Sequence, residues 1–152
     1  MPNLPADDRQ IIMTRLIPAL PDKVWRAFTD PTLLPRWFGP DGFTCKTKEI
    51  NLVEGGQWRF DMIAPDGTIY PNRHRYTRQT PTTRLEFLMD DDSDTDLPMQ
   101  VEITLTAESG GTRLTQTITF PNTNAKTAAL SFGADVLGQQ TLGKLATLVA
   151  TL

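Results

Sequence analysis

LPDKVWRAFTDPTLLPRWFGP, residues 20–40, is the stretch whose reading decides the fold. Two Trp and two Phe stand among prolines in a segment with room for only two short helices. Pro21-Asp22 opens the first, in which Val24, Trp25, Ala27 and Phe28 give one apolar side at helical spacing. Asp30 is placed to cap the second, with Pro31 at its tolerated first position, and Gly39-Pro40 ends it. A segment so aromatic is built to cover something apolar. Trp25 and Phe28 read as anchors of the first helix. Trp37 and Phe38 read either as packing or as the gate of a cavity.

Around this segment the chain is rich in strands. Residues 9–19, RQIIMTRLIPA, form a first strand ending at Pro18. FTCKTKEINL (43–52) is polar enough for a sheet edge. Gly55-Gly56 turns the chain, after which Trp58, Phe60 and Met62 alternate with Arg59 and Asp61, the period of a half-buried strand. Pro65-Asp66-Gly67-Thr68 makes a hairpin turn. The return strand runs from Tyr70 to about Arg78, and RLEFLMD (84–90) follows it. Beyond an acidic loop, Asp90–Asp96, come Met99, Val101, Ile103 and Leu105 in strict alternation. Ser109–Thr112 then turns into a last strand bearing Leu114, Gln116, Ile118 and Phe120. From Asn122 to Leu152 there is no Pro, and apolar residues recur at helical spacing, interrupted by Gly133, Gly138 and Gly143. The pattern predicts an α+β domain over residues 9–152 behind a flexible tail at 1–8. Its curved antiparallel sheet has about six to seven strands, with two short N-terminal helices and one long C-terminal helix over a cavity.

Composition narrows the class. The 152 residues carry a formal net charge of -3, 39% hydrophobic and 22% charged residues, as a globular single domain does. With a pI near 5.1 the chain lacks the basic surface that nucleic acid or an anionic membrane requires. It has no run of about 18 apolar residues, so no membrane span is expected. The start, MPNLPADDRQ, lacks the basic and apolar regions of a secretion signal, so the expected compartment is the cytoplasm. One cysteine, Cys45, permits no internal disulfide and reads as an inert packing residue. One Cys and one His make no zinc spacing, and the acidic loop lacks the Gly and closing Glu of a calcium loop. The expectation is therefore no metal and no cofactor, with the acidic run a solvated turn.

Several signatures in order carry a resemblance: Val24-Trp25-Arg26-Ala27-Phe28-Thr29-Asp30-Pro31, Arg36-Trp37-Phe38-Gly39-Pro40, Gly55-Gly56-Gln57-Trp58-Arg59-Phe60, Asp66-Gly67, Tyr76 and Gly111-Thr112-Arg113-Leu114-Thr115. Over residues 9–121 the chain resembles the helix-grip fold of the START-like superfamily. The nearer resemblance is to bacterial proteins of the family named for the C-terminal domain of the activator of the heat-shock protein 90 ATPase. That resemblance implies a fold and a ligand-sized cavity but no single activity. It also implies a Gly-Trp pair near the middle of the last helix. This chain has Gly138-Gln139 there, which predicts a larger, reshaped or more open cavity.

The candidate cavity residues are Trp37, Phe38, Trp58, Phe60, Met62, His74, Tyr76, Phe87, Met99, Val101, Phe132 and Val136. Apolar faces of this kind are either solid core or pocket lining, and Met suits a surface that adapts to varied ligands. His74 and Tyr76 share one side of a strand, Arg73 and Arg75 the other; the first pair, pointing inward, could orient a ligand or act as acid and base. Three functions follow. The first is binding of a small apolar or aromatic molecule without catalysis. The second is an interaction module regulating a chaperone or stress response. The third is a hydrolase, cyclase or dehydratase using His74 and Tyr76. A monomer or a homodimer fits equally, since an edge strand offers a pairing route.

Overall fold

The computed structural model describes residues 6–152. Ala6–Arg9 is a single 3-10 turn, tied to the last strand by the Arg9 guanidinium donating to the Phe120 carbonyl at 2.8 Å. Of the expected tail at 1–8, residues 1–5 lie outside the described residues.

Seven strands follow: β1 (Gln10–Ile17), β2 (Thr44–Ile50), β3 (Gln57–Ile63), β4 (Ile69–Thr80), β5 (Arg84–Asp90), β6 (Met99–Glu108) and β7 (Gly111–Thr119). They form one antiparallel sheet in the order β1-β7-β6-β5-β4-β3-β2. β1 and β2 are consecutive in the chain yet lie at opposite edges. The segment that joins them is the 20–40 stretch, which crosses one face of the sheet as α1 (Pro21–Thr29) and α2 (Leu34–Trp37). This is why its aromatics are so dense: a crossing of an entire sheet must bury one side along its whole length. Register shifts at Thr47/Glu49 and Tyr76/Arg78 mark bulges that bend the sheet around that face.

The inner face is closed by Trp58, Phe60, His74, Tyr76, Leu85, Phe87, Val101, Ile103, Leu105 and Leu114, all buried. Val24, Ala27 and Phe28 of α1 pack onto it. Trp37 completes the anchor, stacking edge-on against Phe28 with centroids 4.9 Å apart and donating its indole N–H to the Ala27 carbonyl at 2.9 Å. Trp25, expected as an anchor beside Phe28, is only partly buried at the core's margin. Asp30 accepts from the Thr32 amide and hydroxyl, capping the turn before α2 rather than the helix itself, which is one turn long and starts at Leu34.

The C-terminal region is two helices, α3 (Thr123–Ser131) and α4 (Ala134–Val149), where the sequence predicts one interrupted helix. The break is at Gly133, whose φ of +78° belongs to the left-handed region that glycine enters without steric cost. α4 buries Leu142, Leu145, Leu148 and Val149. It passes so close to β1 that a Cβ on Gly138 would lie 2.5 Å from the Met13 sulfur.

Candidate functional site

Where the grip of helix on sheet loosens, a cavity of about 510 Å³ opens at one end of the inner face. Its sheet wall is Met62 of β3, Tyr70 and Asn72 of β4, Met89 of β5 and Met99 of β6. These positions continue the alternation that places Phe60, His74, Phe87 and Val101 inward. The register brings them together: Met62 lies opposite Tyr70, and Met89 lies between His74 on β4 and Met99 on β6. The roof is Phe132 and Leu137, on either side of the α3–α4 break.

Two loops complete the rim, and each is held by identifiable contacts. The loop after α2 supplies Pro40 and Phe43. Lys144 of α4 donates its ammonium to the Pro40 and Phe43 carbonyls, both at 3.2 Å, and Gln140 accepts from the Asp41 amide at 3.2 Å. The other loop is the acidic run, a largely solvated turn as its composition predicts, which ion pairs nevertheless latch to the sheet. Arg73 grips Asp90 with two hydrogen bonds at 2.9 and 2.8 Å and also holds Asp94 at 2.8 Å and the Ser93 carbonyl at 3.1 Å. Arg59 holds Asp92 in the same two-pronged way, at 2.8 and 3.0 Å. Burial alone would raise the Asp90 carboxyl. The Arg73 hydrogen bonds, the Asp92 amide and the charges of Arg73 and Arg75 outweigh it and hold Asp90 below the usual carboxylate range. So fixed, the loop presents Asp91, Asp96 and Leu97 at the cavity mouth.

Of the twelve residues singled out in the sequence, Met62, Met99 and Phe132 line this cavity. Trp58, Phe60, Tyr76, Phe87 and Val101 are packed core beside it. Phe38 packs edge-on against Trp58, Phe60 and His74, at centroid distances of 5.5, 5.7 and 5.0 Å. Trp37 is 2% exposed and anchors α2. Val136 faces a second, larger depression of about 1070 Å³ that follows α4 past Ile12, Trp37 and Gln139. That groove is interrupted by the charges of Arg15, Arg36, Asp41, Asp135 and Lys144, which suits it poorly to an apolar ligand. Gln139, where the resemblance implies Trp, belongs to that side of the helix: its amide donates to the Thr14 carbonyl on the free edge of β1 at 3.4 Å.

His74 sits deeper, 1% exposed, with Phe87 stacked on it at 4.4 Å. Trp58, Phe60 and Phe38 surround it edge-on. Its Nε2 has no hydrogen-bond partner. Burial, opposed only by the charge of Asp90, pushes its pKa down to about 3, so the ring is neutral at physiological pH. Burial likewise pushes the Tyr76 phenol up and the Cys45 thiol up to about 12; Lys144 only partly opposes the latter shift. Neither His74 nor Tyr76 lines the cavity, and Arg73 and Arg75 are committed to Asp90. Among the described residues no three of His, Cys, Asp and Glu are grouped as metal ligands would be.

The cavity-lining residues that sequence reasoning missed are Pro40, Phe43, Tyr70, Pro71, Asn72, Met89, Asp90, Asp91, Asp96, Leu97 and Leu137. Tyr70, Asn72 and Met89 carried a usable signal, since each extends the inward period of a strand already read. Phe43 and Leu97 carried none, because loop anchoring alone decides where they point.

A curved antiparallel sheet closed by a long C-terminal helix, with an apolar cavity at the seam, defines a helix-grip protein. The profile of the family described as "Activator of Hsp90 ATPase homolog 1-like protein" matches residues 18–150, and the chain belongs to that family. A solved structure from Chromobacterium violaceum is similar, at 30% identity and a TM-score of 0.79, covering 91% of this chain and 96% of that one. A solution structure from Arthrobacter aurescens shares the fold at 18% identity and a TM-score of 0.86, covering 99% and 91%. A structure from Silicibacter pomeroyi described as the AHSA1 protein matches at 20% identity and a TM-score of 0.75, covering 93% and 98%. A search of curated proteins gave no match. Family and fold suggest a ligand-binding or chaperone-regulating role without naming a ligand. No helix among the described residues is long and apolar enough to cross a membrane.

Proposed function

We propose that this protein binds a small, mainly apolar molecule in the methionine-lined cavity between the end of the sheet and the α3–α4 junction. The observation that carries the reading is the cavity itself. Its volume of about 510 Å³ lies within the range of roughly 300–1,000 Å³ usual for small-molecule sites. Three thioethers from three strands give a wall that can reshape around its occupant. The same geometry supports binding over catalysis: the titratable pair His74 and Tyr76 is sealed behind the wall, with both groups held neutral at physiological pH.

Native mass spectrometry with a panel of small apolar and aromatic compounds tests this reading. Wild type should retain one molecule per chain, and Met99→Trp, which fills the cavity from β6, should lose it. Equal retention by both proteins, or by neither, would overturn the proposal.

The family description favours a second reading, regulation of a chaperone ATPase, in which the cavity would be incidental. Adding saturating protein to a purified heat-shock protein 90 and measuring ATP hydrolysis separates the two. The ligand-binding reading expects an unchanged rate.

A further inference from the structure

The lining of the cavity has a polarity of its own. Five carboxylates stand in the acidic run, and three of them are neutralised: Asp90 by Arg73 and Arg75, Asp92 by Arg59, and Asp94 by Arg73. Those three draw their partners from the far side of the sheet. Asp90 also lines the cavity with its charge paired; the other two lining carboxylates, Asp91 and Asp96, have no cationic partner among the described residues. Asp91 uses one oxygen to accept from the Ser93 hydroxyl at 2.7 Å and keeps the other free. No Lys, Arg or His is among the residues that line the cavity.

Beside these carboxylates the mouth is aromatic. Phe43 and Tyr70 form a tilted pair with centroids 6.2 Å apart. Phe132 across from them is 84% exposed, and Leu97 is 74% exposed. Large apolar side chains left in water around one opening mark a binding lip. Aromatic faces attract a cation through their quadrupole, and a carboxylate nearby adds a charge of the right sign. Behind them the Met62, Met89 and Met99 wall accepts only apolar groups.

From this combination we infer that the ligand is a lipophilic cation: an amine or quaternary ammonium held at the mouth, with its hydrocarbon portion among the methionines. The inference rests on the cavity being the binding site, and it adds the sign of the ligand's charge.

Three ten-carbon amphiphiles with the same tail, decyltrimethylammonium, decanol and decanoate, separate the two claims when titrated below their micellar concentrations at neutral pH and low salt. Isothermal calorimetry should give the ammonium a Kd about tenfold or more below that of the alcohol, and the alcohol a Kd below that of the carboxylate. Raising the salt to roughly 0.3 M should narrow these differences, because the rim charges lie in water. In Asp91→Asn/Asp96→Asn the preference should vanish while decanol binds as before. Equal affinity for all three, tightest binding of decanoate, or an ammonium preference that survives the double variant would overturn the cationic ligand and leave the apolar cavity standing. Failure of all three to bind would remove both.

Discussion

His74→Leu should flatten the acid limb of this protein's stability curve. The wild-type imidazole titrates near 3 when folded and near 6.5 when unfolded, so the folded state refuses a proton that the unfolded state accepts. The stabilisation that comes from staying neutral is therefore complete above pH 6.5 and is lost progressively as pH falls from 6.5 toward 3. Each pH unit in that window removes about 1.4 kcal/mol. Between pH 7.5 and 4.5 the loss is about 2.7 kcal/mol, and down to pH 3 it amounts to about 4 kcal/mol. Leucine has no titration and a similar size. The carboxylates elsewhere contribute equally to both proteins and cancel in the difference. Urea unfolding of wild type and variant at half-unit steps from pH 7.5 to 4.5 gives that difference directly. It should shift by nearly 3 kcal/mol in favour of the variant as pH falls. Parallel curves, agreeing within about 0.5 kcal/mol across the range, would mean that His74 is hydrated and chargeable in the folded state. The aromatic cage would then be open, and acid–base chemistry at His74 would return as a possibility.

Two further perturbations probe the parts that hold the site. Trp37→Phe removes a buried ring edge and orphans the Ala27 carbonyl, and should cost about 2–3 kcal/mol in urea unfolding; a cost below about 0.5 kcal/mol would contradict its role as anchor. Arg73→Met keeps the aliphatic stem but strips Asp90 and Asp94 of their shared cation. It should cost about 2–3 kcal/mol and quicken amide exchange across residues 90–97, whereas Arg84→Met, whose partner Glu102 is partly exposed, should cost less than about 0.5 kcal/mol. Equal costs for the two would show that the acidic loop is not latched.

The fold was legible because its strands repeat with a period of two and because residues 20–40 read as two short helices covering an apolar face; that they cross the whole sheet from edge to edge was not. The bacterial family was legible from the order of short signatures along the chain. The position of the cavity was not. The sequence marks which faces point inward, but whether an inward residue touches a neighbour or empty space depends on how far the helix stands from each strand. Trp58, Phe60 and Phe87 were inward and met Phe38 and His74; Met62 and Met99 were equally inward, pack against the core on one side only and line the cavity on the other. The left-handed Gly133 decides much of this, since it turns α3 away from α4 at the point where a continuous helix would run on. The latching of the acidic run was hidden for another reason: its partners Arg59 and Arg73 are 33 and 17 residues from the aspartates they hold, a pairing that only the sheet register creates.

The methionine methyl groups offer the most direct test of a ligand seated in this cavity. Of the five methionines, Met62, Met89 and Met99 line it, and Met13 lies under α4 away from it. In a spectrum of protein labelled with carbon-13 at the methionine methyls, titration with a bound apolar compound should move the three cavity signals together along one saturable curve and leave Met13 in place. Binding that shifts Met13 while the signals of Met62, Met89 and Met99 stay still would contradict the account.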